Sequence, residues 1–163
     1  RAHCNLEASA AFFPKICSTH TFADKLAAID AARRAGLTVC SGGIIGLGET
    51  FTDRLDMAFA LRDLQVKSVP INFLNPIPGT PFAHNAPLSY EEKQRTVAAF
   101  RFILPDADIR LAGGRKLLPD RGAACFRAGA NAAITGDMLT TAGVCAETDH
   151  ALLKRLGFEV RHG

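Results

Sequence analysis

Two hydrophobic rhythms alternate along the chain. Short apolar runs at 37–45, 68–74 and 109–112 predict strands. Between them apolar residues return every three or four positions, which predicts helices. The first helix opens at Thr21, with Asp24 three residues on as a loose capping box. It runs through Leu26, Ile29 and Ala32 and ends at Gly36. A second starts at Thr50-Phe51-Thr52-Asp53 and carries Leu55, Ala58, Phe59 and Leu61. A third is capped by 89–92, and its predicted buried stripe is Val97, Phe100, Phe102 and Ile103. Weaker signals predict a strand end at 2–5, a helix at 122–128, a short strand at 132–135 and a last helix at 148–156. The proline-rich run from Asn75 to Pro81 predicts a rigid loop.

Strands separated by single helices imply parallel pairing, in either a barrel or an open doubly wound sheet. The glycines of 41–49 do not form a dinucleotide fingerprint, because no GxGxxG follows a strand and opens a helix. Polar and glycine residues gather instead at the C-terminal ends of strands: Asn5, 46–49, Asn75 and 113–115. In a barrel those ends form the active-site face. About four strands are visible and a barrel needs eight. The expected fold class is therefore α/β, the C-terminal half of a (β/α)8 TIM-type barrel, as one partial domain over 1–163. The chain opens on Arg1 as if inside a strand, so an earlier part of a longer protein is expected to be missing.

Composition narrows the classes. With 48% hydrophobic residues and mean hydropathy +0.10 the chain can bury a core. No apolar run is long enough to span a membrane, and no secretory signal opens the chain. The net charge of +3 comes from scattered basic residues, which argues against nucleic acid as a partner. Five cysteines, odd in number and widely spaced, suit a reducing cytoplasm and mostly buried thiols. Three residues stand out inside strands. Cys40 is either a packed thiol or a group facing a barrel interior. Arg110, flanked by apolar residues, needs a carboxylate, a loop or an anion as partner. Asn72 either ties down the next loop or holds a neutral ureido or amide ligand.

Four stretches carry a resemblance: 40–50 (CSGGIIGLGET), 69–81 (VPINFLNPIPGTP), 109–115 (IRLAGGR), and 128–131 (AGAN) with 136–141 (GDMLTT). In letters, order and spacing they resemble the biotin synthase family of radical S-adenosylmethionine enzymes. The resemblance implies a (β/α)8 barrel that inserts sulfur into dethiobiotin to make biotin. It implies a [4Fe-4S] cluster on a CxxxCxxC loop, absent here, that cleaves S-adenosylmethionine to a 5′-deoxyadenosyl radical. It also implies a [2Fe-2S] cluster with three Cys ligands and one Arg, for which Cys40 and Arg110 are the matching positions. Gly42, Ile44, Ile45, Gly46, Glu49, Phe73 and Asn75 would lie by S-adenosylmethionine. Asn5, Asn72 and His3 would face dethiobiotin. His3 and Cys4 depart from the family's usual Asn and His, which touches the pocket lining. A flavodoxin-type electron donor and a homodimer are further implications. Other radical enzymes of the same barrel, hydrogenase-maturase-like or methylornithine-synthase-like, need not keep both Cys40 and Arg110. The chain by itself is expected to be an inactive half-barrel that self-associates through open edges.

Overall fold

Three capping boxes start the three long helices. Thr21 and Asp24 cap α1 (Phe22–Arg34), Thr50 and Asp53 cap α2 (Phe51–Asp63), and Ser89 and Glu92 cap α3 (Tyr90–Ile103). Each hydroxyl accepts from the N3 backbone N–H while the N3 carboxylate accepts from the cap residue. Gly36 follows α1 with φ +75, the left-handed geometry that a C′ glycine adopts without strain. The computed structural model describes residues 1–137 and 143–160, so the 138–141 part of the GDMLTT motif lies outside the described residues.

The strands are β1 (Ala2–His3), β2 (Val39–Cys40), β3 (Gly43–Ile45), β4 (Ser68–Phe73), β5 (Asp108–Leu111) and β6 (Ala132–Ala133). They form one sheet in the order β1-β2-β4-β5-β6, with β3 also on β4, and every pairing is parallel. Two short helices, α4 (Ala123–Arg127) and α5 (Ala146–Arg155), complete the alternation. Among the described residues six strands occur where about four were visible, because the predicted strand 37–45 divides into β2 and β3 and the weakly signalled β1 and β6 are only two residues long.

The predicted strand 37–45 is interrupted, and Pro70 is the cause. Along the β3–β4 ladder Leu74 N donates to Ile45 O at 2.9 Å. Two rungs earlier the donor position falls on Pro70, which has no N–H. The register nevertheless continues, from Cys40↔Ser68 to Gly43↔Ile71. Gly42 lies flat at the gap: a Cβ there would sit 1.9 Å from Pro70 O.

All five helices pack on one face of the sheet. A single core joins Val39, Ile45, Val69, Ile71, Phe73, Ile109 and Leu111 to Ile29, Met57, Leu61, Val97, Phe100, Phe126 and Leu152. An open doubly wound sheet needs helices on both faces, so this one-sided cover is the arc of a barrel wall. One expectation fails. Phe102 is 88% exposed, and the buried line of α3 is Thr96, Val97 and Phe100. At about 100° per residue Phe102 sits two steps round from Phe100, away from the sheet. Arg101 clamps the turn after α3, its guanidinium donating to Gly129 O, Leu104 O, Pro105 O and Ala107 O at 2.8–3.0 Å.

Candidate active site

The face of the sheet opposite the helices carries polar side chains in rows, since alternate residues point to opposite sides. The lowest row runs His3, Cys40, Ser68 and Asp108 across four strands. The next holds Asn5, Gly42, Pro70, Arg110 and Ala132, and the one above holds Ile44 and Asn72. Cys40 and Arg110 thus share one face, two strands and one row apart, or about 10 Å across the sheet. Between them lie Ser68, the flat Gly42 and Pro70, all short side chains.

Ser68 Oγ donates to Cys40 Sγ at 3.4 Å, and both residues are buried. Arg110 Nε is buried with no partner among the described residues. Such an orphan donor costs about 1–3 kcal/mol, which marks the position as one kept for something other than stability. Asn5 Oδ1 accepts from Gly42 N at 3.1 Å. His3 is exposed on the same face. Cys4 points the other way and packs against the helix-side core, so its departure from the family pattern leaves the polar face untouched.

Asn72 is engaged at both ends. Its Nδ2 donates to Gly43 O at 3.2 Å and its Oδ1 accepts from Gly113 N at 2.9 Å. The amide ties the strand to the next loop, and one hydrogen and one lone pair are left for a ligand.

Above these rows, at the C-terminal ends of the strands, lies a cleft of about 460 Å³. Phe13, Ile16, Leu47, Leu74, Ile77 and Phe82 give it apolar walls, and Glu7, Lys25, Ile44 and Asn75 also line it. Of the residues expected beside the cofactor, Ile44 and Asn75 reach this cleft. The others do not present side chains to it. Ile45 and Phe73 alternate to the helix side and are buried in the core. Gly46, at φ +100, forms a turn: its N–H donates to Glu49 Oε1 at 2.9 Å and its carbonyl accepts from Asn85 Nδ2 at 3.1 Å. The Glu49 carboxylate is only 4% exposed and receives Arg54 Nε at 2.7 Å. Glu49 therefore builds the turn.

Glu7 was overlooked by sequence reasoning. Its φ is +69, a strained value for a residue with a Cβ, and Oε2 is buried without a partner. Burial raises its pKa, and the nearby Lys25 charge only partly opposes this. Strand phase could have found it, because Glu7 follows His3 and Asn5 at a period of two. Also unforeseen is a buried ion pair behind the sheet. Arg115 donates to both Asp149 carboxylate oxygens, with Nη1–Oδ1 at 2.7 Å, and to Ile134 O at 3.2 Å. Beside α4, Asp120 accepts from Tyr90 Oη and from Gly122 N and Ala124 N. Burial and the Asp120 charge push the neighbouring Cys125 thiol up to about 12. Among the described residues no group of three or more His, Cys, Asp or Glu is placed to hold a metal ion, and no helix is long and apolar enough to cross a membrane.

Residues 70–159 match the family model of the biotin and thiamin synthesis associated domain. The chain belongs to that family. The chain is also similar to curated biotin synthases. The chain is 58% identical to biotin synthase of Brachyspira hyodysenteriae and 59% identical to that of Clostridium botulinum, in each case over 98% of this chain. Biotin synthase 2 of Corynebacterium diphtheriae is 59% identical over the same share. The chain spans about half the length of these relatives, 48–50%. Among solved structures, methylornithine synthase superposes with TM-score 0.75 at 17% identity, over 98% of this chain and 52% of that one. A hydroxymethylglutaryl-CoA lyase from Pseudomonas aeruginosa gives 0.54 at 17% identity, over 97% and 55%. At those identities the likeness speaks to fold alone. For this biotin and thiamin synthesis associated chain it supports the half-barrel class.

Proposed function

We propose that this chain is the C-terminal half-barrel of a cytoplasmic biotin synthase, in which the complete protein inserts sulfur into dethiobiotin. The observation that carries the reading is 58–59% identity over 98% of the chain to biotin synthases. The inner face fits the groups this activity needs. A thiol and an orphaned guanidinium share a face with no tall side chain between them, which suits an anionic iron–sulfur cluster.

In this reading the clusters and S-adenosylmethionine supply the sulfur and the hydrogen-abstracting power. Cys40 would hold the [2Fe-2S] cluster through its sulfur, and the Ser68 hydroxyl, donating to that sulfur, fixes its direction. Arg110 offers its unpartnered guanidinium to the same cluster. Asn5 and the remaining valences of Asn72 orient the ureido ring of dethiobiotin, with exposed His3 at its edge. Ile44 and Asn75 line the cofactor's cleft, and its apolar walls keep water from the reacting carbons. Gly42, Gly46 and Glu49 shape the backbone under it, and Ile45 and Phe73 anchor that backbone to the core. The CxxxCxxC loop and the remaining cluster ligands belong to the rest of the protein, as do the surfaces for a flavodoxin-type donor and a homodimer.

The test uses full-length protein reconstituted anaerobically with iron and sulfide. Wild type should show two cluster types and convert dethiobiotin to biotin. Cys40→Ala should lose the [2Fe-2S] spectrum and keep the [4Fe-4S] one. Retention of both in Cys40→Ala would refute the ligand assignment, and a full-length sequence without CxxxCxxC would refute the activity.

A further inference from the structure

Cys17, partly exposed, lies in the loop between β1 and α1 and lines the apolar cleft; none of the other four cysteines does. Its Sγ is 3.3 Å from His20 Nδ1 and 3.5 Å from Thr19 Oγ1. Thr19 Oγ1 in turn lies 3.0 Å from the same imidazole nitrogen. The imidazole is held in place by Phe13, a fully buried ring that meets it edge-on at 5.6 Å. Two polar groups, themselves in contact, therefore close on one sulfur at the mouth of a preformed cleft.

The other thiols are built differently. Cys40 accepts a hydrogen bond from Ser68 inside the sheet. Cys125 is buried beside Asp120, a setting that keeps it protonated. Cys4 packs against the core. Cys145 is exposed, with the Thr148 hydroxyl at 3.0 Å.

We propose that Cys17 is the reactive thiol of this chain, a modification site activated by His20 and Thr19 that takes soft electrophiles and hydroperoxides. The net effect of the groups around the sulfur is to favour the thiolate. Hydrogen bonds from the Thr19 hydroxyl, then from the His20 backbone, hold the thiol below its ordinary range, with Lys25 of α1 adding positive charge. Glu7 faces the same cleft from the end of β1 and Asp24 lies near His20. With iodoacetamide the S–C bond forms as C–I breaks, and iodide leaves with the electron pair. With a hydroperoxide the S–O bond forms as O–O breaks. The sulfur is oxidised by two electrons to the sulfenic acid, and the peroxide is reduced to hydroxide or alkoxide, which a solvent proton neutralises. Either adduct lies against the cleft wall.

The test is competitive labelling of full-length protein with limiting iodoacetamide, read peptide by peptide in a mass spectrometer. At pH 7 Cys17 should react about tenfold faster than the exposed Cys145. His20→Ala should slow Cys17 labelling, while the Thr19 hydroxyl and the backbone of residue 20 retain part of the advantage over Cys145. The pH midpoint of Cys17 labelling in wild type should lie below that of Cys145, a reading that needs no variant. A bimane on Cys17 should emit to the blue of one on Cys145, as expected for a label against apolar walls. Equal rates, coincident pH profiles or indifference to His20→Ala would overturn the activation. Identical bimane emission would overturn the placement in the cleft.

Discussion

The two faces of the sheet follow opposite rules. On the helix side Val39, Ile45, Val69, Ile71, Phe73, Ile109 and Leu111 are apolar and buried, and the polar pair Arg115–Asp149 is fully committed. On the inner side the same strands carry His3, Asn5, Cys40, Asn72 and Arg110, and one guanidinium nitrogen is left unsatisfied. Stability is concentrated on one face and chemistry on the other, and a period of two separates them residue by residue.

That contrast can be broken most forcefully at the buried ion pair. Asp149→Asn leaves the Arg115 charge uncompensated and should cost about 3–5 kcal/mol in urea unfolding of the full-length protein. A null result would mean that the helix side is less tightly specified than its packing implies. The sharpest comparison lies within β5. Ile109→Ala, on the core side, should cost about 2–5 kcal/mol. Its neighbour Arg110→Leu should stay within about 1 kcal/mol of wild type, because it removes an orphan donor. Arg110→Leu should nevertheless alter the visible spectrum of the reconstituted [2Fe-2S] cluster. A large stability loss with an unchanged spectrum would reverse the two roles. Thr50→Ala removes one capping box and should cost about 1 kcal/mol, measured by thermal melting.

The smallest effect is on pH. Burial raises the pKa of Glu7, so its carboxyl favours folding most when protonated, and that contribution is lost as pH rises through the folded value. For Asp120, burial pushes upward but the hydrogen bonds from Tyr90 and the α4 backbone win, so its pKa is lowered. Its contribution is present above the ordinary carboxylate range and is lost as pH falls. Glu7→Gln should flatten the decline toward neutral pH while leaving the acid limb that Asp120 shapes, which stability curves from pH 3 to 8 would resolve.

Much of the fold was legible along the chain because its signals are local. The Thr21–Asp24 and Thr50–Asp53 spacings and Gly36 each report on one turn of backbone. Phe102 misled because apolar character alone does not say which side of a helix meets the sheet. The break at Ser41–Gly42 was hidden because its cause, Pro70, is on another strand. The inner-face positions of Cys40 and Arg110 follow from strand phase. Ile45 and Phe73, expected beside the cofactor, take the core side by that same alternation. Glu49 turned inward to Arg54, a partner five residues on that no strand pattern foretells.

Asn72 has a mechanical consequence. By joining Gly43 O to Gly113 N it cross-braces three neighbouring strands at the height where the cleft begins. The floor of the cleft therefore behaves as one stiff plate. Entry and exit of anything held there must come from displacement of the two rims, 8–20 and 75–88, and amide exchange should be slow at Gly113 and fast along both rims.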